Sequence, residues 1–87
     1  MPPDLLALIN AELARQDAKW GDQRGNGDLF WLAILGEEFG ECSKEVADQE
    51  YARRKGKTLL VNDLIKLDVE IVQAIAVAVQ WYKARND

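Results

Sequence analysis

From Val69 to Val79 every side chain is aliphatic except those of Glu70 and Gln73. A helix this apolar around its circumference expects partners on all sides, and the other helices of one short chain cannot supply them. Glu70, Gln73, Val77 and Gln80 fall on one stripe at helical spacing, so the polar groups of the segment point in a common direction. The run is too short to cross a bilayer and carries an acid. It reads as the centre of a soluble helical bundle with something polar on one side.

The rest of the chain fits that centre. With 87 residues it is a single domain over 1–87, and a monomer of this size buries only about 60% of its unfolded surface. Sharing the core with further copies is therefore expected, as a homodimer or homotetramer. Hydrophobic residues make up 48% and the net charge is −4, which describes a folded acidic protein and argues against nucleic-acid polymers as partners. The single cysteine, Cys42, excludes an internal disulfide and fits a reducing compartment. No basic segment precedes an apolar signal core, so a cytoplasmic protein without membrane attachment is expected. There is no histidine, which removes histidine zinc sites, histidine acid–base chemistry and the Glu-x-x-His pattern of di-iron bundles.

Periodicity gives an all-α chain of three main helices. Pro2, Pro3 and Asp4 form a start signal for a first helix carrying Leu5, Leu6, Leu8, Ile9 and Leu13 to about Lys19. A loop with Gly21, Gly25 and Gly27 follows, and Asp28 is placed to cap a second helix from Leu29 to about Gln49. Gly36 and Gly40 lower the stability of that helix by roughly 1 kcal/mol each relative to alanine. Their spacing predicts close approach of another helix or a ligand, or tight packing alone. Arg53, Arg54, Lys55 and Lys57 surround Gly56 in a basic connector, and a third helix starts at Thr58 or Asn62 and reaches about Arg85. No segment alternates like a strand.

The acids carry the chemistry. Trp31, Ile34 and Leu35 form an inward stripe on the second helix, and Glu38, Glu41 and Glu45 prolong it instead of lying opposite it. Carboxylates in a core position are costly unless something offsets their charge. Glu38 with Glu41 can grip one ion, and Glu70 with Gln73 can complete its shell from a facing helix. An all-oxygen set suits magnesium, with manganese as the alternative. Such an ion shares its shell with phosphates and activates water for attack on phosphorus, with Glu37 and Glu45 as spare carboxylates. Cys42, between these acids, reads as a small buried apolar residue, and Glu45 with Asp48 as exposed surface.

In order, Gln16, Lys19-Trp20-Gly21, Gln23, the stretch from Trp31 to Leu35, Glu37-Glu38-Phe39-Gly40-Glu41 and Glu70 to Trp81 resemble the MazG-like branch of the all-α nucleoside triphosphate pyrophosphohydrolases. The resemblance implies a Glu-Glu-x-x-Glu motif followed by Glu-x-x-Asp, magnesium at these acids, and cleavage of nucleoside triphosphates to monophosphate and pyrophosphate. On that reading Glu37, Glu38, Glu41 and Glu70 are catalytic, and Glu38, Glu41, Glu70 and Gln73 hold the metal. Trp20 stacks on the base, Gln16 and Gln23 offer amides to its edge, and Lys19 and Lys44 neutralise phosphates, while Trp31 belongs to the core. Gln73 departs from the pattern, since its carbonyl can coordinate a cation but brings no charge. That departure leaves open a nucleotide- and metal-binding module without turnover. A purely structural oligomer, its acids satisfied by lysines such as Lys44 or Lys66, is the third alternative.

Overall fold

Asp4 opens the first helix by the means its side chain suggests. In the computed structural model, which describes residues 4–86, the Asp4 carboxylate accepts the Leu6 and Ala7 amides at 3.0 and 3.4 Å. It thereby satisfies donors that a helix start leaves unpaired. Pro2 and Pro3 lie outside the described residues. Helix α1 spans Leu5–Trp20 and ends at Gly21, whose φ of 71° places it where a side chain would be strained. The Gly21 amide closes back on the Asp17 carbonyl at 2.9 Å.

Helix α2 spans Asp28–Arg54 and α3 spans Val61–Asn86. Two boundaries differ from the expectation, each for a local reason. Asp28 is the first residue of α2 and not its cap, a place taken by Gly27. Its carboxylate is committed across the fold instead, accepting the Trp81 indole N–H at 2.9 Å and pairing with Arg85 at 3.1 Å. At the other end α2 continues beyond Gln49 and absorbs Arg53 and Arg54, because Glu50 pairs with both from three and four residues away. The basic connector shrinks to a turn at Gly56, whose φ is 75°. Leu60 precedes α3 and donates its amide to the Asp63 carboxylate at 2.9 Å.

Helix α3 is the centre. Both α1 and α2 pack against it, whereas α1 and α2 nowhere bring Cα atoms within 8 Å of each other. Among the described residues the buried apolar side chains are Trp31, Ala74, Ala76 and Val77, so the middle of α3 provides nearly the whole core. No strand occurs among them. The chain is an all-α three-helix bundle, and none of its described helices is long and apolar enough to cross a membrane.

The bundle is open. Its extents are 48 × 30 × 19 Å and its radius of gyration is 15.0 Å, against about 12 Å for a compact domain of this length. It exposes 6397 Å², about 1,200 Å² more than a compact monomer of its mass. One curved layer of helices leaves apolar surface that a domain ordinarily buries against a second layer. The close approach predicted at Gly36 and Gly40 is not made within the chain, since a Cβ added at either would meet nothing within 4 Å. Both lie on an outward side of α2.

Gln49 ties the lower ends of α2 and α3 together. It is buried, and its amide donates to the Asp63 carbonyl at 2.7 Å. Gln49→Ala removes that bond along with buried packing, and a loss of about 1–2 kcal/mol is expected. Chemical denaturation would show it as a lower midpoint at unchanged slope; a midpoint equal to the parent's would refute the tie.

Candidate functional site: a three-carboxylate cluster beside an aromatic cleft

Two helices bring the acids together. Glu38 and Glu41 stand one turn apart on α2, and α3 places Glu70 opposite them. One carboxylate oxygen from each of the three lies within 4.8 Å of the other two. The Glu38 Oε2 and Glu70 Oε2 atoms are buried without any hydrogen-bond partner. None of the ion pairs among the described residues reaches these acids, so Lys44 and Lys66 do not satisfy them within one chain.

The electrostatic cost shows in the protonation of the cluster. Burial, then a hydrogen bond with Glu41, then the charges of Glu41, Glu38 and Glu45 raise the Glu70 carboxyl to about 7. Glu38 is also pushed above the usual carboxylate range. Burial is the main cause, with the charges of Glu41 and Glu12 adding to it and Arg15 opposing. The half-buried Cys42 thiol is raised by burial and by the charges of Glu70, Glu38 and Glu41. A thiol held protonated in this way is a poor nucleophile, in keeping with a packing role.

The cluster fits a hard cation. Two carboxylate oxygens from different helices lack hydrogen-bond partners, a need that a proton or a cation can meet, and oxygen donors without sulfur or imidazole suit magnesium among cations. Oxygens around one magnesium stand about 3 Å apart when adjacent and about 4.2 Å apart when opposite. The 4.8 Å span therefore closes with a small rotation of the side chains. Gln73, one turn beyond Glu70 on α3, is half-buried.

Next to the cluster a cleft of about 530 Å³ is lined by Lys19, Trp20, Gln23, Phe30, Trp31, Ile34, Glu37 and Glu38. It joins the end of α1 to the first turns of α2. Trp20 lines it while 40% exposed, and the Lys19 ammonium lies 5.4 Å from the centre of the Trp20 ring. Glu37 is exposed at the same wall. Trp31 is buried, as its core reading expects, and meets Phe30 edge-on with ring centres 5.4 Å apart. Lys19, Trp20, Gln23 and Glu37 are thus gathered beside Glu38.

Other expected contacts are placed elsewhere. Gln16 is 1% exposed; its amide donates to Glu12 at 2.7 Å and accepts from Gln80 of α3. It holds α1 to α3 and presents no free amide to a ligand. The Gln23 amide donates to the Trp20 carbonyl at 2.7 Å and accepts from Asn26 at 2.8 Å, which shapes the loop forming the cleft wall. Lys44 is exposed on α2 and is absent from the cleft lining.

Two charged residues near the site carry no sequence motif. Glu12 accepts Arg15 Nε and Nη2 at 2.8 and 2.7 Å, which holds its carboxyl below the usual range, and both residues act on Glu38 through their charges. Their three-residue spacing on α1 was the available signal, but the same spacing describes any exposed helical ion pair. The chain matches no family model, no curated protein and no solved structure.

Proposed function

We propose that the chain is a magnesium-dependent nucleoside triphosphate pyrophosphohydrolase of the MazG-like kind, working on ribo- or deoxyribonucleotides in the cytoplasm and suited to clearing unwanted nucleotides from the pool. The observation carrying this reading is the trio Glu38, Glu41 and Glu70, with two buried unpartnered oxygens, beside a cleft that ends in an exposed tryptophan. Glu38, Glu41 and Glu70 would hold magnesium or manganese, with the Gln73 carbonyl as a neutral fourth donor. The ion supplies positive charge for the phosphates and acidifies water.

The chain's own groups account for the rest. Trp20 offers a stacking face to the base, an interaction of about 1–3 kcal/mol. Lys19, beside that ring, meets phosphate charge from the same wall. Glu37 faces the cleft and takes the proton of the water that attacks the α-phosphorus; the bond from that phosphorus to the bridging oxygen breaks, and pyrophosphate leaves. Oligomerisation completes the bundle, since a single chain leaves one layer of helices uncovered.

Gln73 favours a second reading, binding without turnover, because a neutral donor lowers the charge available to the cation. Pyrophosphate release from a panel of standard and modified nucleoside triphosphates, with magnesium, manganese or chelator, separates the two. Metal-dependent release is expected, with Gln73→Asp increasing it several-fold. Nucleotide-induced thermal stabilisation with no release by either protein would replace the enzyme with the binding module. Absence of both would overturn the nucleotide assignment.

A further inference from the structure

Helix α3 has three sides. The side toward α2 is marked by Asp63, Glu70 and Trp81, which meet Gln49, Glu41 and Asp28. The side toward α1 is marked by Gln80, bonded to Gln16, and by Ile65, Val69 and Val72, which share a groove with Leu8 and Ala11. The third side runs through Leu64, Asp68, Ile71, Ile75, Ala78 and Tyr82, with Asp68 at its edge also lining that groove, and none of these six is buried. Tyr82 is 71% exposed and Leu64 48%. Their spacing alternates between four and three residues, the repeat by which one helix packs along another.

We propose that this third side of α3 docks on the same side of a second copy, the two helices running antiparallel about a two-fold axis between Ile71 and Ile75. The proposal rests on the reading of the chain as a homo-oligomer and names the face that makes it one. In an antiparallel register Leu64 lies opposite Tyr82 of the second copy, Ile71 opposite Ile75, and Asp68 opposite Ala78. Large side chains fill both ends, isoleucines fill the centre, and the single charge stands against the smallest side chain, past which it reaches solvent. A parallel register would set Asp68 against Asp68 and leave a hole where Ala78 meets Ala78. Antiparallel alignment also brings the acidic start of α3 beside its basic end, marked by Lys83 and Arg85, and opposes the helix dipoles.

The area agrees. One chain exposes about 1,200 Å² beyond a compact monomer of its mass, and a standard interface takes about 800 Å² from each partner. The apolar groove between α1 and α3 adjoins the seam, so a docked copy would cover both. This is the isologous contact expected of a two-fold dimer.

Sedimentation of the unmodified protein should give at least twice the 9.8 kDa of one chain; a monomer would overturn the oligomer and the seam together. Ile71→Asp should halve the mass while circular dichroism keeps its helical signal. Because that variant can fail by unfolding, cross-linking carries the test independently. In a Cys42→Ala background, a chain bearing both Leu64→Cys and Tyr82→Cys should be joined into dimers by a short bismaleimide. Either cysteine alone should not link, since an antiparallel pair holds its two copies about 27 Å apart. Linking by the single-cysteine proteins would overturn the antiparallel register. A dimer that persists in Ile71→Asp, with no linking in the double-cysteine protein, would overturn the seam and leave the homo-oligomer standing.

Discussion

Glu38→Ala and Glu41→Ala are each expected to abolish metal-dependent pyrophosphate release while leaving the metal-free protein as stable as the parent or more so. The two effects have opposite signs because the same carboxylates play both parts. On the proposed reading each would supply one of only three charged donors, and since loss of an outer-shell partner alone costs 10–100-fold, removal of a direct ligand should lower kcat/KM by more than about 100-fold. In the absence of metal the same carboxylate is a liability: Glu38 has a buried oxygen with no hydrogen-bond partner, and Glu41 faces Glu70 at short range. Truncating Glu38 relieves repulsion among acids partly taken out of water, and truncating the exposed Glu41 relieves the same repulsion against the loss of its hydrogen bond with Glu70. Pyrophosphate release and the metal-free melting temperature, measured on the same preparations, check the pair of signs. Variants as active as the parent would remove Glu38 and Glu41 from the site. Variants that are inactive and strongly destabilised without metal would mean that the cluster is a packing element and not a cation trap.

The cluster was legible because it broke a rule that the rest of α3 obeys. A helix with aliphatic side chains all round has no place for Glu70 unless another element brings it a counterpart, and Glu38 and Glu41 extend the stripe begun by Trp31 and Ile34. Helical periodicity alone then predicts which faces meet, and the three oxygens are found together. Trp20 and Lys19 follow, since they flank the loop that closes the same end of the bundle, and Glu37 reaches the same cleft from the turn of α2 that carries Glu38. What periodicity does not encode is the choice between local and distant partners. Asp28 has the residue type of a cap, yet its carboxylate goes to Trp81 and Arg85, more than fifty residues away. Gln16 has the look of a ligand-binding amide, yet the glutamine on α3 that faces it draws it into the interior. Glu12 and Arg15 act on Glu38 from a helix whose backbone does not touch α2, a proximity created only by the way both helices lean on α3. Gly36 and Gly40 lie on a face of α2 where an added Cβ would meet nothing among the described residues, so the close approach that their spacing suggests is not made there.

Protonation gives the second large effect, in the pH dependence of stability. Glu70 titrates near 7 in the folded chain against 4.5 for an unperturbed glutamate, and Glu38 is shifted in the same direction. Between those values the folded state holds protons that the unfolded chain has released, so stability falls as pH rises. The stabilisation is fully present below about 4.5 and has been lost once pH passes 7. Glu12, shifted downward by its hydrogen bond from Arg15, loses its contribution at lower pH and does not cancel the slope. The metal-free melting temperature should therefore decline from pH 5 to pH 8, and Glu70→Gln should flatten the decline by removing the principal group. On the proposed reading magnesium would compete with the proton for the same oxygens, so the rise in melting temperature on adding it should be small at pH 5 and several degrees at pH 8. It should nearly vanish in Glu70→Gln at either pH. A metal-free stability that climbs through this window in the parent protein, or a magnesium effect independent of pH, would show that the three carboxylates neither share protons nor exchange them for a cation.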